Sequence, residues 1–314
     1  MIVRICAELL RPIDALERES IAGQTDREVT LNWFGTIVAV RFDDAAAAEI
    51  YRRRYQAFAG SGPPKLSARV YAEANGNYCF TTDLGRSYRW THGPLTPRSI
   101  AFLADIVVRR IYFSEIATFA SFHAATIAVD GVAAAIVASS RGGKTTTAIA
   151  CARRKMPVYS DERCVVIDGF AQPFPRSLSI RREALHLLAL DSVVDDGGIG
   201  SRLRARRFQP WTCAGFEEVF GTPSLPPAAP LAAIFFIDGY ARTPSVRPLS
   251  NTSALPKLIA APLRSQERGI DSVALGMSLL RQSTAFSLTL GSPDETALAI
   301  RAAVRTSTAQ CQAC

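Results

Sequence analysis

The stretch "AIVASSRGGKTTTAIACARR" (residues 135–154) holds the residues best suited to chemistry. From Ala138 to Thr145 it matches the phosphate-loop pattern G-x-x-x-x-G-K-[ST], save that alanine stands at the first glycine position. Such a loop grips an anion because successive backbone N–H groups converge at a helix start, where the helix dipole adds positive potential. Gly142 and Gly143 let the backbone approach closely, Lys144 neutralises terminal phosphates, and the Thr145 hydroxyl suits Mg2+. Ser140 and Thr146 complete the expected nucleotide cradle. Ala138 is small, and its backbone need not take positive φ, so the loop stays workable.

A second group, Ser160-Asp161-Glu162, closes the stretch after "MPVY". Alone it reads as an acidic turn. Downstream of a phosphate loop, Glu162 could hold Mg2+ while Asp161 takes a proton from an attacking hydroxyl. His123 in "SFHAATIAV" reads alone as a core histidine, yet it opens the segment leading into the loop and could meet the acids at a sheet edge. Arg176, Arg181 and Arg182 suit either a phosphoryl clamp or a solvated basic face. Glu183 is a further candidate ligand, and Asp238 ends an apolar run that could face the same edge. Arg202, Arg204, Arg206 and Arg207 form a basic run that reads either as a loop or as a dock for a polyanion. His92 and His186 have no partner pattern.

The elements that must position these groups are legible in outline. "AATIAVDG" and "AAAIVAS" are apolar runs joined by Asp130-Gly131, a hairpin signal. A helix is expected from the Lys144-Thr145 step to Met156-Pro157, followed by two strands around the acidic turn. Strand, loop, helix and strand ending in acid is the order of a mononucleotide-binding unit. Upstream, "GTIVAVRF" (35–42) and "NYCFTTDL" (77–84) read as strands. "AAAAEIYRRRYQAFAG" reads as a helix closed by Gly60, and 96–113 as a helix capped by Thr96 with Pro97 in its first turn. Downstream, "AAIFFIDG" (232–239) reads as a strand, with helical segments near 253–262 and 294–305.

Residues 120–185 resemble the catalytic core of the HPr serine kinase/phosphorylase family. The resemblance rests on "FHAATIAVDGVAAAIVASSRGGKTTTAIACARRKMPVYSDERCVVIDG", with His123 lying 21 positions before Lys144 and Asp161 lying 17 after it. It implies that Asp161 corresponds to the aspartate that deprotonates a seryl hydroxyl, and His123 to the family's active-site histidine. Glu162 stands where a second aspartate is usual, Ala138 replaces the first loop glycine, and Arg141 replaces the glycine after the loop serine. The downstream signature of the bifunctional enzyme is not recognisable in 186–240. The resemblance therefore points to the wider group of HPr-kinase-like proteins, some of which modify small peptides, rather than to HPr itself.

Composition sets the outer bounds. The 314 residues are 48% hydrophobic, ordinary for a soluble globular chain, and their net charge of +8 suits nucleotide phosphates, nucleic acid or a membrane surface equally and alone decides nothing. "MIVRICAELLRPIDALERES" is broken by charges before any signal-like apolar core, and the run 116–129 is too short to span a bilayer. A cytoplasmic location with no membrane partner is expected. The seven cysteines are odd in number and scattered, and Cys311-Gln-Ala-Cys314 reads as an incidental tail. The fold expected is α/β: residues 116–314 form a phosphate-loop domain on a mixed sheet, preceded by a smaller α+β region over 1–115. The leading functional expectation is an ATP- and Mg2+-dependent serine kinase acting on a hydroxyl of a protein, peptide or small molecule. A nucleotide-binding accessory protein without transfer activity is the alternative, and a polyanion-binding protein a third. Nucleic acid is not the expected partner, and self-association into a homo-oligomer stays open.

Overall fold

The computed structural model describes residues 10–12, 27–139, 141–175, 178–181, 184, 187, 188, 211–214, 219, 225–261 and 272–312. By their contacts the residues group into two units, Met1–Ile116 with Val194–Ala214, and Ala117–Val193 with Gly215–Cys314. The grouping of 194–214 with the first unit has no counterpart in the sequence reading.

In the first unit the chain runs β1 (Leu10–Pro12), β2 (Glu28–Trp33), β3 (Thr36–Phe42), α1 (Ala45–Arg54), β4 (Leu66–Ala72), β5 (Tyr78–Thr82), β6 (Ser87–Trp90) and α2 (Pro97–Ile111). The sheet order is β1-β6-β5-β4-β3-β2. Among the described strands of this sheet only β3 and β4 are parallel, because α1 carries the chain back between them. Alternate residues of β4 (Leu66, Ala68, Val70) are buried, the period-two signature of a sheet with one covered face. As expected, Thr96 caps α2, accepting from the Ser99 amide at 3.2 Å, and Pro97 sits at its start.

The helix read up to Gly60 is shorter than expected. It stops at Arg54 and tightens into a 3-10 turn at Gln56–Phe58, and Gly60 instead marks a close chain crossing. A Cβ there would meet the Asn32 backbone nitrogen at 2.8 Å. Between α1 and α2 lies a buried polar network. The Tyr55 hydroxyl donates to Asp105, and Arg109 donates to both oxygens of the same carboxylate at 2.6 and 2.7 Å.

The second unit is the α/β part. Its elements are β7 (Ala120–Phe122), β8 (Ala124–Val129), β9 (Val132–Val137), α3 (Lys144–Arg153), β10 (Val158–Ser160), β11 (Cys164–Ile167), β12 (Phe170–Gln172) and β13 (Leu178–Arg181). After β14 (Trp211–Ala214), which groups with the first unit, come β15 (Ala229–Tyr240), β16 (Ser245–Pro248), α4 (Asn251–Ala260), α5 (Ser272–Gln282), β17 (Thr284–Leu290) and α6 (Pro293–Gln312). Asp130 and Gly131, both at positive φ (48° and 85°), form the two-residue turn of the β8–β9 hairpin.

The sheet is mixed, in the order β10-β8-β9-β15, with β12-β11-β7 continuing from the start of β15 and β17-β16 along its later half. Strand β15 is parallel to both β9 and β17. One face, through Ala133, Ala135, Ile234 and Phe236, packs with Ala254 and Leu258 of α4 and Leu279 and Leu280 of α5. Helices α3 and α6 pack on each other and on β8, and α6 also packs on β15, β16 and β17. Strands covered on both faces read as unbroken apolar runs, which is why "AAAIVAS" shows no alternation. Helix α5 and strands β16 and β17 were not legible in the sequence. Among the described residues, no helix is long and apolar enough to cross a membrane.

Candidate functional site

The loop between β9 and α3 takes its shape from two residue types. Gly143 is the helix N-cap at φ +91°, and Arg141 sits at φ +74° where the resemblance has glycine. Gly142 has no room for a side chain: a Cβ there would lie 2.6 Å from the Ala138 Cβ and 3.1 Å from the Ser139 carbonyl oxygen. Helix α3 has no side-chain cap at Gly143. The first N–H groups of any helix lack intrahelical acceptors, so this end can donate to an anion.

Lys144 is 8% exposed and folds back over the loop, donating to the Ala138 carbonyl at 2.8 Å and the Ser139 carbonyl at 3.2 Å. Burial pulls its ammonium below the usual lysine range, while the nearby Glu162 and Asp161 carboxylates push it back up. Both acids are therefore electrostatic neighbours of the lysine.

The acidic turn is fixed by Ser160, which is fully buried. Its hydroxyl oxygen accepts from the amides of Arg163 at 3.1 Å and Glu162 at 3.4 Å, holding a tight turn at the end of β10. That turn brings Asp161, 4% exposed, against α3, where the Thr145 hydroxyl donates to its Oδ2 at 3.3 Å. Glu162 is less buried. The backbone carbonyl of Glu162 is 2.9 Å from His123 Nδ1, and since a carbonyl only accepts, Nδ1 carries the proton. Burial, reinforced by the Lys144 charge, lowers the His123 pKa to about 4, so the ring is neutral at pH 7. On the other side of the loop, Tyr240 from β15 donates to the Arg141 carbonyl at 3.4 Å.

The structure thus gathers His123, Gly142, Gly143, Lys144, Thr145, Asp161 and Glu162 at one edge of the second unit's sheet, and Thr146 occupies the first turn of α3. Ser140, Arg176, Arg182, Glu183, His186, Arg202, Arg204, Arg206 and Arg207 lie outside the described residues. Arg181 ends β13, and Cys311 lies in α6 while Cys314 is outside the described residues. Asp238 is taken up elsewhere, accepting from Lys257 at 2.5 Å and Ser287 at 2.6 Å. His92 packs edge-on against Trp90. Sequence reasoning named Ser160 with the acids but gave it no role, and missed Tyr240. A serine just ahead of two acids was a usable turn signal; the tyrosine carried none. Among the described residues, no three His, Cys, Asp or Glu side chains cluster closely enough to hold a metal by themselves.

No family model and no curated protein matches the chain. Among solved structures, the HPr(Ser) kinase/phosphatase from Coxiella burnetii is similar over 62% of this chain and 93% of that chain, with a TM-score of 0.35 and 10% sequence identity. A likeness at that level assigns neither fold nor activity.

Proposed function

We propose that the loop at 138–146 binds the magnesium complex of a nucleoside triphosphate, ATP in the first instance. We further propose that the site transfers the terminal phosphoryl group to a hydroxyl of a protein, peptide or small molecule. The observation carrying this reading is the 3.3 Å contact between Thr145 Oγ1 and Asp161 Oδ2 beside the buried Lys144. It brings a carboxylate to the hydroxyl that opens the helix after the loop. The cradle fits a phosphate chain, since both loop glycines stand where a Cβ would clash and the helix end is uncapped.

Thr145 and Glu162 would hold Mg2+, with phosphate oxygens and water filling the remaining positions, as that ion prefers. Bound there, it would screen the negative charge that phosphoryl transfer concentrates on the phosphates. Lys144 exchanges its two carbonyl acceptors for phosphate oxygens, trading neutral acceptors for charge-assisted ones. Asp161 takes the proton of the acceptor hydroxyl. His123, neutral and bonded to the Glu162 carbonyl, holds the turn that carries both acids. That makes it a positioning residue here, where the resemblance implies an active-site one.

Purified protein with Mg-ATP carrying a labelled γ-phosphate, offered to candidate peptides and to free serine, tests the reading. Lys144→Ala is expected to abolish nucleotide binding. Asp161→Asn is expected to retain binding and lose transfer at least about a hundredfold, the scale of a removed general base. Normal transfer by both variants would refute the mechanism. Arg141 at φ +74° and Ala138, at positions where the resemblance has glycine, favour a second reading as a nucleotide-binding protein without transfer. Mg-ATP binding with no labelling of any acceptor would select it.

A further inference from the structure

Tyr240 is a large side chain beside the phosphate loop to which the reading above gives no role. It is 68% exposed, at the end of a strand whose middle, Ala233–Phe236, is buried and whose last residues alternate between half-buried and exposed. Its hydroxyl lies 3.3 Å from the point a Gly143 Cβ would occupy and donates to the Arg141 carbonyl at 3.4 Å. The methyl Cδ1 of buried Leu290, at the end of β17, lies 2.7 Å from the same point.

The strand directions explain how these residues meet. Strands β9, β15 and β17 are parallel neighbours, and β10 and β9 are each antiparallel to β8, so all four present their carboxyl ends at one edge. Open α/β sheets bind ligands outside that edge. Asp161 directly follows β10, on the β8 side of the loop, whereas Tyr240 and Leu290 end β15 and β17, on the opposite side. A triphosphate laid across the loop with its terminal phosphate toward Asp161 therefore directs its nucleoside toward Tyr240.

The local backbone is built to present that ring. The pairing of β15 with β17 slips between Ile237 and Gly239, leaving Asp238 as an extra residue, and Gly239 takes φ +151°. Such bulges bend a strand and re-aim the side chains that follow.

We infer that Tyr240 is the platform on which the nucleobase stacks, with Leu290 as apolar floor beside Gly143; this rests on the phosphate-loop reading above. Stacking tolerates any base with a π-face, so the site selects a nucleotide over a bare polyphosphate before it selects among bases.

Calorimetric titration of the full chain with Mg-ATP and, separately, with Mg-tripolyphosphate tests this. Tyr240→Ala is expected to weaken Mg-ATP binding at least about fivefold, the low end of base–aromatic stacking, and to leave tripolyphosphate binding unchanged. Tyr240→Phe keeps the ring and is expected to bind Mg-ATP within about twofold of the unaltered protein. Equal weakening of both ligands in Tyr240→Ala would make the tyrosine a support for the loop and overturn the inference alone. So would unchanged ATP affinity. Unaltered protein that binds neither ligand would overturn the phosphate-loop reading and the inference with it.

Discussion

Whether an alanine at the first loop position is tolerated turns on one contact. A Cβ built on Gly142 would sit 2.6 Å from the Ala138 Cβ, where ordinary contact begins at 3.4 Å. Gly142→Ala must therefore push the two segments apart by nearly an ångström, an overpacking cost of about 1–3 kcal/mol. Ala138→Gly removes the other methyl and costs about 0.4–1 kcal/mol, mainly through the freer unfolded chain. In the double variant the 2.6 Å clash disappears, and the nearest remaining neighbour is the Ser139 carbonyl oxygen at 3.1 Å. The double variant should thus be more stable than the sum of its parts by about 1–2 kcal/mol, a coupling well above the additivity expected of independent sites. Urea unfolding of the four proteins measures it, and Mg-ATP titration of the same four should show binding lost in Gly142→Ala and partly regained in the double variant. Strict additivity, or a Gly142→Ala protein as stable as the original, would refute this loop geometry and with it the bonds from Lys144 to the Ala138 and Ser139 carbonyls.

Two further outcomes follow from the buried polar groups. His123, held at a pKa of about 4 against 6.5 in the unfolded chain, is bound by fewer protons folded than unfolded between those values. Its contribution is therefore complete above pH 6.5 and is lost as pH falls toward 4, by up to about 3 kcal/mol. Urea unfolding at pH 7 and pH 4.5 should show a steeper acid loss in the original protein than in His123→Asn, and equal slopes would contradict it. In the first unit, Asp105→Asn removes the carboxylate charge that accepts two bonds from the Arg109 guanidinium, itself 5% exposed. A loss of about 3–5 kcal/mol is expected in urea unfolding followed by tryptophan fluorescence, and a loss below 1 kcal/mol would show that the pair is not buried as described.

Local signals account for much of what was legible in advance. The Asp130-Gly131 hairpin, the helix opening at Lys144, the cap at Thr96 and the acidic turn each depend on residues within a few positions of one another, so their spacing alone specified them. The helix read up to Gly60 failed because that glycine answers to Asn32 on a neighbouring strand, not to the helix before it. Helix α5 and strand β17 went unread for a related reason: their burial comes from partners far along the chain, such as β15 against β17.

The candidate site divides in the same way. Residue type and spacing by themselves named the loop, the lysine, the threonine and the two acids, since a phosphate cradle demands those groups in that order. Only the folded sheet decided that Asp161 rather than Glu162 meets Thr145, that His123 spends its Nδ1 proton on a backbone carbonyl, and that Tyr240 arrives beside Gly143 from nearly a hundred positions away. Strand order and direction set those meetings, and they arise from packing between distant segments, which no local pattern records.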